Sequence, residues 1–181
     1  MLKKSILAVL TLFVLTACGN KNDELSVEER QKIIDEGTVG FETNGGKITK
    51  AENIPSNEEK AILAAFNEYI AAFNEEDIDR YMQMISKNPK GFKYEEEKEY
   101  TTEVFEQTDA KRDVKDTTII KYSENEAQVH TNMIVHFMQI KPKVEHESTG
   151  QQVTVFVKED GDWKVTSVFY IGDDTKSSTG K

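Results

Sequence analysis

The sequence predicts an α+β domain in which helices pack on one face of a curved antiparallel sheet of about four strands. Apolar residues recur at helical spacing from Ile62 to Phe73 and again from Ile78 to Ile85. Beyond Lys111 the period changes to alternation, and β-branched and aromatic residues take over. Asp160-Gly161 then gives a hairpin signal between the last two alternating runs. Helices followed by consecutive strands is the order that segregates helices to one face of an antiparallel sheet.

In chain order, Met1–Lys4 carries two lysines, and Ser5–Leu15 is apolar except for Ser5 and Thr11, the pattern of a secretory signal. A membrane-crossing helix needs about 20 apolar residues, and this run stops short of that. The stretch Leu15-Thr16-Ala17-Cys18 resembles the lipobox of a bacterial lipoprotein signal, matching it at all four positions. The resemblance implies removal of residues 1–17, a diacylglyceryl group on Cys18, and a location on the extracytoplasmic face of the cell membrane. Two acyl chains hold a protein durably where one binds only reversibly.

Cys18 is the only cysteine, so no internal disulfide can form. Losing residues 1–17 removes Lys3 and Lys4 and takes the formal charge from −10 to −12. Such an acidic chain gains nothing from phosphate neutralisation, which argues against nucleic acid as a partner, and anionic headgroups would repel it. The length suits one domain. Residues 18–53, polar and interrupted by Gly37, Gly40, Gly45 and Gly46, suit a tether, with a short helix able to start at Ser26.

The domain is expected over residues 54–172. Ser56-Asn57-Glu58-Glu59 has the form of a capping box before a helix running to about Asn74, whose stripe is Ile62, Leu63, Phe66, Tyr69, Ile70 and Phe73. Asp77 is placed to cap a second helix carrying Ile78, Tyr81, Met82 and Ile85, which Asn88-Pro89 and Gly91 end. A third helix is expected from about Glu97. Four strands follow, at Thr117–Tyr122, Ala127 to about Ile140, Gly150–Lys158 and Asp162–Ile171, and residues 173–181 read as a polar tail.

The paired helices, the Glu-Asn-Glu-Ala-Gln-Val entry to the long second strand, and Asp160-Gly161-Asp162-Trp163-Lys164-Val165 together resemble the NTF2-like superfamily with its cone-shaped, cystatin-like fold. The resemblance covers about Asn57 to Ile171. It implies a cone between sheet and helices, which in some members is a pocket for chemistry or ligands and in others is filled with side chains. Fold does not choose between these.

Alternation on the second strand turns Ala127, Val129, Thr131, Met133, Val135 and Phe137 toward the helices. On the fourth strand it would do the same for Trp163, Val165, Ser167, Phe169 and Ile171. The expected pocket lining is therefore Tyr69, Phe73, Tyr81, Met133, Val135 and Phe169, with the two phenols its polar members. Almost no acid or base falls on these faces, so no catalytic set is assigned. The opposite face of the second strand carries His130, Asn132, Ile134, His136 and Met138, a mixed surface suited to a homodimer or an envelope-protein partner. Six residues at about 3.3 Å each separate His130 from His136 by about 20 Å, too far to share a metal. No calcium loop, phosphate loop or zinc motif is present, and no cofactor is expected. A non-catalytic binding or interaction module is the expected function. The alternative is a small pocket enzyme of isomerase or dehydratase type.

Overall fold

A computed structural model describes residues 48–172 except Pro142. Cys18, the signal, most of the tether and the tail 173–181 lie outside the described residues. Three helices, α1 (Ser56–Asn74), α2 (Ile78–Met84) and α3 (Tyr94–Gln107), precede four strands, β1 (Thr108–Tyr122), β2 (Glu126–Gln139), β3 (Val144–Glu159) and β4 (Asp162–Gly172). The strands form one antiparallel sheet in the order β1-β2-β3-β4, curved, with the helices against one face. Among the described residues no helix is long and apolar enough to cross a membrane.

The capping box expected at Ser56 does not form. Pro55 occupies the N-cap with φ −58°, no side chain caps the helix, and Ser56 lies inside the first turn. Proline supplies the preset φ at a helix start, and Glu58 and Glu59 place negative charge against the amino end of the helix dipole. At the other end the chain reverses through Glu76 at φ 56°, with Glu76 N–H donating to Phe73 O and Asp77 N–H to Ala72 O. That pairing satisfies the last carbonyls of α1. Asp77 then caps α2, its Oδ1 accepting from Arg80 N–H at 3.0 Å.

Two strands begin earlier than alternation of apolar residues suggests. β1 starts at Thr108 rather than Thr117, and β3 at Val144 rather than Gly150. Their early halves carry charge on the outward positions Asp109, Lys111, Asp113, Glu145 and Glu147, and pairing with β2 holds them in the sheet. The core lies between helices and sheet. Ile62, Phe66, Tyr69 and Phe73 of α1 and Tyr81 and Met82 of α2 meet Ala110, Ile119, Ala127, Val129, Met133, Phe156, Trp163 and Val165.

A bulge in β4 breaks the expected alternation. Val155 pairs with Ser167 and Phe156 with Val165, leaving Thr166 as the extra residue. Trp163 and Val165 face the helices as expected, whereas beyond Thr166 the inward residue is Val168. The α2–α3 connection covers this edge, with Ser86 N–H donating to Val165 O, and Lys90 and Gly91 N–H to Thr166 O.

Candidate functional site

Four side chains from four elements converge inside the cone. Tyr69 projects from the apolar stripe of α1 and Tyr81 from that of α2, and each is only 1% exposed. Glu97 stands one turn before the buried Thr101 on α3, so it shares the inward stripe with Val104. Arg112 stands between Ala110 and Val114 on the inward face of β1, directly across from Val135. Its backbone is pinned, because Asn74 Oδ1 accepts from Arg112 N–H at 2.8 Å and Asn74 Nδ2 donates to Arg112 O at 3.0 Å. The end of α1 thus supplies the hydrogen bonds this edge strand lacks and fixes where the guanidinium can reach.

Tyr81 Oη lies 2.6 Å from Glu97 Oε1 and 3.4 Å from Tyr69 Oη, and Arg112 Nη1 lies 3.1 Å from Tyr69 Oη. A phenol has one proton, so the shorter, charge-assisted contact takes it and Tyr81 donates to Glu97. Tyr69 accepts from Arg112, leaving its own proton to point at Tyr81. All donors then run one way, from guanidinium to carboxylate. Burial pushes the Tyr81 phenol well above its ordinary range, and the neighbouring Tyr69 adds to that.

The rest of the interior is aromatic. Ring centroids lie 5.3 Å apart for Tyr69 and Tyr81, 6.0 Å for Phe73 and Tyr81, and 5.3 Å for Phe73 and Phe105. The Arg112 guanidinium carbon sits 3.5 Å from the Phe73 ring centre, within cation–π range. At the open end, Tyr100, Val104, Thr108, Phe137 and Val144 line a groove of about 400 Å³. Among the described residues no cluster of His, Cys, Asp and Glu has the makings of a metal site.

Of the residues expected to line a pocket, Tyr69, Phe73 and Tyr81 come together, Met133 lies in the core, and Val135 faces inward beside Arg112. Phe169 does not join them. It pairs with Val153, which pairs with His130, so the bulge at Thr166 has turned it to the outward face. On that face His130 is 1% exposed, with Nε2 at 3.1 Å from Gln151 Oε1. Asn132 Nδ2 donates to Asp116 Oδ2 at 2.9 Å. Ile134, His136 and Met138 are half-buried, and His136 has a carboxylate at each ring nitrogen, Asp113 and Glu147, each at 3.2 Å. A hollow of about 500 Å³ surrounds His136 and Met138, open to solvent, and shares Phe137 and His146 with the groove at the open end.

Sequence reasoning missed Arg112 and Glu97, although signals for both were present. Charges at Asp109, Lys111, Asp113 and Lys115 mark one face of a strand, which obliges Arg112 to take the other. Glu97, Thr101 and Val104 are spaced as one helical stripe.

Residues 64–170, more than half of the chain, match the family described as anti-sigma-I factor RsgI9, C-terminal domain. The chain belongs to this family. No curated protein sequence matches it. Solved structures similar to this RsgI9 C-terminal-type domain include an NTF2-like superfamily protein from Salmonella enterica serovar Typhimurium, with TM-score 0.56 at 18% identity, covering 68% of this chain and 96% of that one. A ketosteroid isomerase-like protein from Erwinia carotovora atroseptica gives TM-score 0.56 at 20% identity, over 65% and 98% of the two chains. A cystatin-like fold protein from Nostoc punctiforme gives 0.52 at 11%, over 68% and 96%. These likenesses establish the fold, which is NTF2-like.

Proposed function

We propose that the protein is a lipoprotein anchored through diacylglyceryl Cys18 on the extracytoplasmic face of the cell membrane, with residues 18–53 as tether and the NTF2-like domain as a non-catalytic binding module. The observation carrying the non-catalytic assignment is that the two phenols and the Glu97 carboxylate in the cone are hydrogen-bonded to one another. Glu97 accepts a hydrogen bond from Tyr81, Tyr69 accepts one from Arg112, and Arg112 is stacked on Phe73. A general base needs a lone pair aimed at substrate, and here the Oε1 oxygen of Glu97 already accepts from Tyr81 at 2.6 Å and from Thr101 at 3.4 Å. The family name is that of an anti-sigma factor's C-terminal domain, and a recognition module is compatible with such a setting.

Anchoring is tested by growing a bacterial host expressing the full chain with an alkyne fatty acid and comparing it with Cys18→Ser. Label in the membrane fraction of the first and none in the second is expected. An unlabelled wild-type chain keeping residues 1–17 in the cytosol would overturn the anchor.

A pocket enzyme is the second reading, favoured by the phenol–carboxylate pair at Tyr81 and Glu97, which is acid–base equipment. For the outward face of β2, with Asn132, Ile134, His136 and Met138 beside the buried His130, the proposed partner is a second copy of the chain. Concentration-dependent mass measurement tests it. A strict monomer at high concentration would leave another envelope protein as the face's remaining use.

A further inference from the structure

We infer that Arg112 is the recognition point for a small organic monocarboxylate that enters the cone through the groove at its open end. The inference builds on the binding-module assignment and names the class of ligand.

A guanidinium has five N–H donors in a planar fork that matches a carboxylate in two places at once. Among the described residues the hydrogen bond from the Arg112 guanidinium goes to a neutral oxygen, that of Tyr69. Among the described residues, the carboxylates that pair with an arginine, Glu68 and Glu75, pair with Arg80 instead. Glu97 reaches the guanidinium only through the two phenols. Arg112 is half-buried, and a partly desolvated cation without a carboxylate in contact is compensated only in part by the Phe73 ring. Stability alone would be served better by an apolar residue opposite Val135. What the position supplies is a positive charge without a carboxylate in salt-bridge contact among the described residues, inward of a groove of mixed polar and apolar lining.

The passage is laid out along β1 and β2. Inward residues on β1 run Thr108, Ala110, Arg112, and those opposite on β2 run Gln139, Phe137, Val135. Thr108 and Phe137 line the groove of about 400 Å³. On β2 one inward step, about 7 Å, leads from Phe137 of the groove to Val135 opposite Arg112, and on β1 two steps, about 13 Å, lead from Thr108 to Arg112 past the fully buried Ala110. A larger side chain there would stand between groove and guanidinium. The walls combine Val104, Phe137 and Val144, which suit an apolar body, with the polar Gln107, Gln139 and His146, and Glu103 is the one carboxylate among the lining residues. One carboxylate leading toward Arg112 and a small, partly apolar body following in the groove is the ligand these features describe.

The test uses the full chain in detergent and three pairs of probes, benzoate, phenylacetate and 3-phenylpropionate, each against its own amide, with inorganic phosphate as a bare anion. Calorimetry and thermal shift report binding. At least one acid is expected to bind tenfold or more tightly than its amide, with phosphate a poor competitor. Arg112→Gln is expected to erase the preference, and Arg112→Lys to keep part of it. Three results would each overturn the inference: no acid exceeding its amide, a preference that survives in Arg112→Gln, or phosphate competing as well as the acids. Should Arg112→Gln fail to fold, Tyr69→Phe takes its place, since loss of the phenol that holds the guanidinium should weaken the acids and spare the amides. Unchanged acid binding there would count against the inference. Proton NMR of the bound acid separates the two levels. Consumption of the acid would overturn the non-catalytic assignment and leave Arg112's role standing, whereas absence of binding would remove that role and leave the anchored module untouched.

Discussion

Replacing Tyr81 with Phe removes one oxygen from a site 1% exposed and leaves the ring in place, so its effect isolates the hydrogen bond to Glu97. Packing against Tyr69, Phe73 and Phe105 is retained. A hydrogen bond to a charged group contributes about 1.5–3 kcal/mol net. Glu97 is half-buried, so water can replace the lost donor, and the contact broken on the other side, to Tyr69, is long at 3.4 Å. The lower part of the range applies, about 1.5–2 kcal/mol. For a domain of this size that lowers Tm by about 5–9 °C. Urea unfolding followed by circular dichroism should show a lower midpoint with an unchanged slope, because the surface exposed on unfolding does not change. A cycle with Glu97→Gln should give a coupling of about 1–1.5 kcal/mol. The same variant has a signature in alkali. Burial holds the folded-state phenol well above its ordinary pKa, so above about pH 10 the unfolded chain releases a proton that the folded one keeps. Stability therefore falls as pH rises through that region, and Tyr81→Phe should flatten the fall. A Tyr81→Phe protein within about 0.5 kcal/mol of wild type, or an additive cycle, would refute the one-way chain from Arg112 to Glu97.

Further outcomes follow from particular contacts. Asp77→Ala should lose about 1 kcal/mol because it strips the cap of α2, whereas Ser56→Ala should be neutral, since Ser56 caps nothing; urea midpoints of both decide. The bond from Lys158, with that from the Trp163 indole, holds the Glu58 carboxyl below its usual 4.5 against the opposing effect of burial. Its contribution is present above the ordinary carboxylate range and lost as pH falls through the lowered folded value, so Glu58→Gln should flatten the acid arm of a stability–pH curve. At Gly150 a Cβ would lie 2.4 Å from Ile171 O and 2.8 Å from the Tyr170 ring. A backbone oxygen cannot swing aside, so Gly150→Ala should cost about 1–3 kcal/mol and raise amide exchange at Tyr170–Gly172 while sparing the core.

Element type was legible wherever apolar spacing was dense. α1 and α2 follow from stripes that end in buried side chains, and the β3–β4 turn from Asp160-Gly161, where φ is positive at both residues. The early halves of β1 and β3 were not legible, because their outward positions are charged and pairing with β2, a non-local contact, holds them in the sheet. The missing cap at Ser56 has a local cause: Pro55 already supplies the helix start, so the serine moves one position inward. Half of the candidate site was visible as Tyr69 and Tyr81. Its charged half was not, because a hydrophobic pattern counts Arg112 and Glu97 as exposed.

Two departures from pattern therefore differ in kind. At Thr166 an extra residue shifts the alternation, yet the side chain is fully buried and its carbonyl accepts from both Lys90 and Gly91. The local account closes, and the bulge is explained by the edge it lets the α2–α3 connection cover. At Arg112 the alternation is intact and the residue type is what departs, for the strand delivers a cation to a face that is otherwise Ala110, Val114 and Val135. Nothing in the backbone requires it: Asn74 holds the main chain of residue 112, not its side chain, and would do so for a valine. A half-buried cation that the backbone geometry does not demand, on an otherwise apolar face, points to a reason outside folding. Arg112→Val separates the two accounts. If the arginine serves only the fold, the variant loses stability. If it serves a ligand, the variant is at least as stable as wild type and binds no carboxylate probe.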